Sequence, residues 1–231
     1  MSDIPGGPMA SRPVHFIWLL DCSGSMGFNG KIGELNFAIR EAIPEMQSAA
    51  RDNPAATLLV RAITFSSGAT WHIKEPTSIH DFTWRDVSSY GGTDLGAALH
   101  LAAAELKMPP MPERALRPVL ALVSDGMPTD DWRSGLRAVD ATPWGKRAVK
   151  VAVAIGDDAD KSMLKEFLGN PELEPITAKN GKQLAAAIRW VSTVAVKAAS
   201  TPMGGGVTLT KPAGQPLPPP PPIDSDDDDV W

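Results

Sequence analysis

Five side chains with oxygen donors lie in three short segments of this 231-residue sequence, and their chemistry suits a metal ion. The first segment supplies Asp21, Ser23 and Ser25 directly after an apolar run, the second supplies Thr93, and the third supplies Asp125. Two carboxylates and three hydroxyls suit Mg²⁺, with Mn²⁺ as the alternative, whereas zinc favours Cys and His. Because Mg²⁺ keeps near-octahedral geometry and retains water, such a site leaves a position open for an outside carboxylate.

The elements that must position these side chains alternate along the chain. Four apolar, β-branched runs have the length of buried strands, at 14–20, 57–65, 118–124 and 149–155. A weaker strand is predicted at 174–177. Segments with helical periodicity or helix-forming composition lie at 32–50, 95–106, 132–140, 161–168 and 182–198. Within the first of these segments, Pro44 is expected to kink or split the helix.

The order of these elements predicts an α/β fold. The segment 69–73 follows the second strand after Ser66, Ser67 and Gly68, which predicts a hairpin with one antiparallel edge strand. The remaining strands alternate with helices, which predicts a doubly wound, mostly parallel central sheet with helices on both faces. In such open sheets ligands bind beyond the carboxyl ends of the strands, where the oxygen-bearing segments lie.

Composition divides the chain into one domain and two appendages. Residues 1–12 are predicted to be a flexible N-terminus, 13–200 a single domain, and 201–231 a disordered, Pro-rich acidic tail. The tail holds a net charge of −4 out of the −5 of the whole chain, so the domain itself is nearly neutral. Without a clustered basic surface, no nucleic-acid partner is expected.

The cellular location follows from three features of the sequence. No run of about 18 apolar residues suggests a membrane span. The first residues lack the basic and apolar regions of a secretory signal. The single cysteine, Cys22, fits a reducing compartment. A cytoplasmic protein without a membrane partner is therefore expected.

Other polar and aromatic residues have simpler explanations than a functional role. Three aspartates that precede helices are predicted to be helix caps, namely Asp94, Asp130 and Asp131. The segment 156–160 is predicted to serve as a turn and cap, and Cys22 to pack away from the metal. Core or surface positions without a metal are expected for His15, His72, His80 and His100. Packing is favoured over an interface role for Trp84, Trp132 and Trp144.

The three oxygen-bearing segments, taken together and in this order, resemble the metal-ion-dependent adhesion site of von Willebrand factor A (vWA) domains. The resemblance covers about residues 13–200. The sequences of the segments from Gly91 to Leu99 and from Ser124 to Asp130 are most similar to those of the bacterial TerY-like branch, which is associated with tellurite resistance and stress systems. The cysteine-rich C-terminal extension of some TerY-like proteins is absent, and a Pro-rich acidic segment stands in its place.

The resemblance implies a function in binding rather than in catalysis. Ser23, Ser25 and Thr93 would bind the metal directly through their hydroxyls, and Asp21 and Asp125 directly or through water. A partner Asp or Glu would complete the coordination shell. TerY-like proteins are encoded with protein kinases and phosphatases. The implied role is therefore that of a non-enzymatic adaptor or regulator in a stress-response or phosphorylation complex, with a kinase or phosphatase as partner.

A Mg²⁺-dependent phosphohydrolase of the haloacid-dehalogenase type is the alternative function. Such enzymes also place a nucleophilic Asp after the first strand of a parallel sheet. They need a second Asp two residues later as the general acid, and Ser23 occupies that position here.

The tail contains a second candidate binding element. A run of prolines is followed by an acidic block and then by Val230 and an aromatic residue, so the segment has the composition of a short linear ligand. Solubilising the domain is the other explanation. The candidate partner-binding residues are Asp226, Asp227, Asp228, Asp229 and Trp231.

Overall fold

The computed structural model describes residues 11–157 and 159–200, which form one sheet and its surrounding helices. The strands are β1 (Arg12–Asp21), β2 (Ala56–Ser66), β3 (Gly68–Ser78), β4 (Val119–Ser124), β5 (Val149–Ile155) and β6 (Ile176–Ala178). The helices are α1 (Lys31–Arg51), α2 (Leu95–Glu105), α3 (Trp132–Ala141), α4 (Lys161–Leu168) and α5 (Gly181–Ser200). The acidic tail and residues 1–10 lie outside the described residues.

The strand order is β3-β2-β1-β4-β5-β6. All neighbouring strands are parallel except β2 and β3, whose antiparallel pairing places β3 at the edge. The predicted α/β class and its antiparallel edge strand are therefore confirmed. The chain leaves β1 for β2 on one side and returns to β4 on the other, so the strand order reverses next to β1.

Both faces of the sheet are buried. Along β1, Phe16, Trp18 and Leu20 pack with α1 and α5, whereas Ile17 and Leu19 pack with α2, α3 and α4. A strand buried on both faces needs apolar residues at nearly every position, which explains the unbroken apolar run before Asp21. Among the described helices, none combines the length and the apolar character needed to cross a membrane.

Helix α1 settles one of the two effects expected of Pro44, which were a kink or a split. It runs from Lys31 to Arg51 with Pro44 inside it, so the split does not occur. Leu35 and Ile39 before the proline and Met46 after it are all buried in the same core. Burial of this apolar face on both sides of Pro44 outweighs the hydrogen bond that the proline removes.

A buried polar group lies on the α2 side of the sheet. His15 on β1 is 3 % exposed, and neither ring nitrogen has a hydrogen-bond partner among the described residues. On β2, Arg61 donates through Nη1 to Oε2 of Glu105 at 2.7 Å. Burial, and secondarily the positive charge of Arg61, lowers the pKa of His15 to about 4.

We expect this histidine to make the protein sensitive to acid. Between pH 6.5 and pH 4 the unfolded chain protonates His15 while the folded protein does not, so the free energy of unfolding falls as pH decreases. The full loss is about 3 kcal/mol. Urea denaturation at a series of pH values checks this. His15→Gln should flatten the curve in this window, whereas the exposed-site control His100→Gln should leave it unchanged; equal slopes for both variants would contradict the assignment.

Candidate metal site

The candidate ligands meet where the strand order reverses. Asp21 is the last residue of β1, and Asp125 directly follows the last residue of β4, Ser124. Strands β1 and β4 are parallel neighbours, with Leu20 opposite Val123, so their carboxyl ends lie side by side. This edge of a doubly wound sheet is where ligands bind in open α/β folds.

Asp21 is fully buried and held in one orientation. Its Oδ1 accepts a hydrogen bond from the Ser23 amide at 2.8 Å, and its Oδ2 accepts one from the Ser124 hydroxyl at 2.5 Å. Burial raises the pKa of Asp21 above its ordinary value, although these hydrogen bonds act in the opposite direction. A cation bound beside this buried carboxylate would favour its charged form and offset the cost of burial.

A chain of hydroxyl hydrogen bonds joins the first and third segments. The hydroxyl oxygens of Ser23 and Ser25 are 2.9 Å apart, and the Ser25 hydroxyl donates to Oδ1 of Asp125 at 2.7 Å. The ammonium of Lys31 donates to Oδ2 of Asp125 at 3.0 Å. Asp125 is 2 % exposed. Four of the five sequence-predicted residues are thus brought together, and Lys31 joins them although the sequence analysis did not single it out.

Thr93 is held at the same edge by its backbone. The loop before it is tied to the first segment, because the Tyr90 amide donates to the Cys22 carbonyl at 2.8 Å and Gly24 donates to Gly91 at 3.0 Å. The Thr93 amide donates to the Thr129 hydroxyl at 2.9 Å, and the residue is 6 % exposed. The structure therefore gathers all five predicted residues at one edge of the sheet.

These donors fit a small divalent cation. Among the described residues, no group of three or more His, Cys, Asp or Glu side chains is arranged to bind a metal, and the candidate donors here are two carboxylates and three hydroxyls. The two carboxylates and three hydroxyls are hard oxygen donors, which Mg²⁺ and Mn²⁺ prefer. A bound ion would supply positive charge beside Asp21 and a coordination position for an acidic group.

The capping aspartates differ from the sequence prediction in two of three cases. Asp131 accepts from the Ser134 amide and caps its own helix, α3, as predicted. Asp130 instead accepts from the amides of Gly96 and Ala97 at 2.8 and 2.9 Å, so it caps the first turn of α2.

Asp94 precedes α2 but makes no side-chain cap bond to it. Its carboxylate accepts from the Gly68 amide and from the Thr129 hydroxyl, each at 2.7 Å. Both Asp94 and Asp130 connect loops distant in sequence, which single-helix capping rules cannot predict. In the segment 156–160, Asp160 accepts from the Met163 amide, so the predicted cap is confirmed.

We expect Asp130→Ala to affect both stability and the site. The substitution leaves two amides in the first turn of α2, three and four residues after Thr93, without their acceptor, which should lower the free energy of unfolding by about 1–2 kcal/mol. Because Thr93 shifts with this turn, affinity for Mn²⁺, measured by calorimetry, should also fall. Asp131→Ala is the matched control, which should lower stability without changing metal affinity. Equal metal affinities for the two variants would contradict the positioning role of Asp130.

The remaining candidates have structural positions. Cys22 is 2 % exposed, and burial raises the pKa of its thiol to about 12, so it is a packing residue. Trp132 and Trp144 are buried, as the packing prediction expected. Trp84 is partly buried and donates through its indole N–H to Oδ1 of Asn36 at 3.0 Å. Of the four histidines, His15 is buried, His72 is half-buried, and His80 and His100 are exposed.

Large apolar side chains are exposed around the site. Phe28 is 70 % exposed, Tyr90 61 % and Met127 68 %. Each lies within three residues of a candidate ligand, on a different one of the three ligand-bearing loops. We call these three residues the apolar rim. Sequence analysis missed the rim because apolar residues in loops do not reveal their exposure.

The fold is that of the von Willebrand factor A domains. A von Willebrand factor type A protein from Catenulispora acidiphila matches at a TM-score of 0.61 and 16 % identity, over 80 % of this chain and 43 % of that one. The ArnB paralog VWA2 from Sulfolobus acidocaldarius matches at a TM-score of 0.53 and 18 % identity, over 78 % and 45 %. These identities establish the fold alone.

A third similar structure is proximal thread matrix protein 1 from the mussel byssus, determined with zinc in its MIDAS motif (the metal-ion-dependent adhesion site). It matches at a TM-score of 0.57 and 20 % identity, over 81 % of this chain and 46 % of that one. This chain thus spans less than half the length of each of the three proteins. No family model and no curated protein matches the sequence.

Proposed function

We propose that this protein is a metal-dependent protein-binding module. Ser23, Ser25 and Thr93 bind Mg²⁺, or alternatively Mn²⁺, through their hydroxyls, and Asp21 and Asp125 bind it directly or through water. The observation that carries the proposal is the convergence of these oxygen donors, four of them buried, at the reversal of strand order. A partner Asp or Glu completes the coordination shell.

The apolar rim supports a protein partner rather than a small anion. Phe28, Tyr90 and Met127 expose apolar surface on the loops that carry the candidate ligands. Aromatic residues and Met are enriched at protein interfaces, and three large apolar side chains exposed on the loops of one site favour an interaction surface there. One metal–carboxylate contact within such a surface gives both specificity and a means of control by the metal.

The sequences of two motifs support a more specific role in a signalling or stress-response complex. The similarity of Gly91 to Leu99 and of Ser124 to Asp130 to the TerY-like branch leads us to propose an adaptor or regulator in a bacterial stress-response or phosphorylation complex. The partners would be a protein kinase, a phosphatase or both, in the cytoplasm, and the module itself would not be an enzyme.

The phosphohydrolase alternative is not favoured. Its general acid would have to occupy position 23, where the hydroxyl of Ser23 instead forms a hydrogen bond with Ser25. A hydroxyl is a far weaker acid than a carboxylic acid and cannot replace it in protonating a leaving group.

Affinity purification of the full-length protein tests the proposal. Proteins retained in Mg²⁺ should be released by EDTA and should not bind Asp21→Ala. Mass spectrometry then identifies the partners, with kinases and phosphatases expected among them. Partner binding that is undiminished in both EDTA and Asp21→Ala would contradict the metal-gated mechanism.

We also propose that Asp226, Asp227, Asp228, Asp229 and Trp231 form a ligand segment that competes for this site. Helix α5 begins beyond the carboxyl end of β6, at the site's edge of the sheet, and its 20 residues extend about 30 Å away from it. The 24 residues from Thr201 to Asp224 could span ~70 Å if extended, which is enough to return. An aspartate could then occupy the open metal position and mask the site.

Truncation to residues 1–200 tests this masking. If the segment competes for the metal, the truncated protein should bind its partner more tightly than the full-length protein, and the difference should vanish in EDTA. Equal affinities would remove the masking role. Complete loss of binding would show instead that the segment is itself the docking peptide.

A further inference from the structure

Lys31 places a buried ammonium group inside the candidate metal site. The residue is 7 % exposed, and its Nζ lies 3.0 Å from Oδ2 of Asp125, whose side chain is fully buried. We propose that Lys31 is a built-in counter-cation that competes with the divalent ion for Asp125 and thereby sets the metal affinity. The inference rests on the proposed metal-binding function.

The position of Lys31 is electrostatically unfavourable without Asp125. It is the first residue of α1, where the helix macrodipole favours acidic rather than basic side chains. Burial adds a desolvation cost, because a lysine is rarely buried unless it is paired. A lysine at this place therefore depends on its ion pair with Asp125.

The ammonium lies among the carboxyl ends of the central strands. Asp125 follows β4, and Gly156, which follows β5, has a positive φ of 78°. A Cβ atom at Gly156 would lie 3.6 Å from the Lys31 Nζ, so the ammonium lies close to this turn. The side chain thus runs from the start of α1 to the same edge as the candidate ligands.

The ion pair changes the net charge of the site and the carboxylate oxygens that are free to bind a metal ion. Oδ1 of Asp125 accepts from Ser25 and Oδ2 accepts from Lys31, so both carboxylate oxygens are engaged. The buried charges of Asp21, Asp125 and Lys31 give −1 instead of −2. Because affinity for hard cations rises with the negative charge of the ligand set, Lys31 lowers it. A divalent ion must either displace the ammonium from Asp125 or bind beside it.

Calorimetric titration of Mg²⁺ and of Mn²⁺ into wild-type protein and Lys31→Met tests the inference. The variant should bind each ion roughly 10- to 100-fold more tightly, which is the range over which groups that contact metal ligands tune affinity. Its thermal midpoint without metal should fall by several degrees, since Asp125 loses its buried partner. Lys161→Met is the matched control, because Lys161 is also the first residue of its helix but is exposed.

The outcomes separate this inference from the proposed function. Wild-type protein that binds metal with the same affinity as Lys31→Met, or more tightly, would overturn the role of Lys31 alone. Absence of binding by both proteins would overturn the metal site and the inference together. If Lys31→Met does not fold, Lys31→Gln and the double variant Lys31→Gln/Asp125→Asn take its place. The double variant should recover metal-free stability but bind metal no more tightly than wild type.

Discussion

Asp21→Asn is expected to abolish stabilisation by Mg²⁺ while leaving the metal-free protein at least as stable as the wild type. The Asn carbonyl can accept from the Ser23 amide, and its amide can donate to the Ser124 hydroxyl, so both hydrogen bonds at this position can be kept. Removal of a buried negative charge relieves the desolvation cost that raises the pKa of Asp21.

The same substitution removes one of the two carboxylates among the five candidate ligands, so metal affinity should fall by at least about 100-fold. Thermal unfolding with and without Mg²⁺ measures both effects. At a Mg²⁺ concentration of about 100 times the dissociation constant, wild-type protein should gain about 2.7 kcal/mol, and the variant almost nothing. Asp157→Asn is the control, because Asp157 is exposed at the same edge and pairs with Lys179. An undiminished gain in Asp21→Asn would refute the role assigned to Asp21.

The double substitution Phe28→Ser/Tyr90→Ser is expected to weaken partner binding without affecting the metal. Both side chains are more than 60 % exposed, so their loss should change stability by less than about 0.5 kcal/mol. Aromatic residues at the centre of an interface contribute about 2 kcal/mol or more each. The expected loss of affinity is therefore at least roughly 100-fold, while Mg²⁺ binding should remain within about twofold of wild type.

Quantitative mass spectrometry of the proteins retained by immobilised wild-type protein and variants measures this effect. The proteins that EDTA releases from wild type should be the ones missing from the rim variant. Phe37→Ser is the matched control, since Phe37 is 48 % exposed but lies on α1, away from the ligand-bearing loops. A rim variant that retains these proteins would show that the metal alone accounts for binding.

Much of the fold follows from local patterns in the sequence. The strand at β5 was predicted at its observed limits, and α4 likewise, because apolar runs and helical periodicity are local signals. The sequence left open whether Pro44 would kink or split α1, and the packing of Leu35 and Met46 in one core keeps the helix unbroken. Tertiary burial of this kind is not visible in a short window of sequence.

The site was predictable to the extent that its residues follow strands. Asp21 and Asp125 end runs that must be strands, and parallel neighbours bring their ends together. The role of Asp130 was missed because its acceptor function reaches another helix, and Lys31 was missed because its burial depends on a partner 94 residues away. Such contacts depend on the relative placement of loops, which local sequence signals do not specify.

Calorimetric titration of Mn²⁺ into the full-length protein tests most directly the central claim, which is that a metal ion binds at this edge of the sheet. We expect that one ion binds per chain, that Mg²⁺ competes with it, and that Asp21→Asn and the double variant Ser23→Ala/Ser25→Ala abolish binding while remaining folded. Failure of the wild-type protein to bind at millimolar metal, or equal binding by these variants, would contradict the assignment of a metal site to this edge of the sheet.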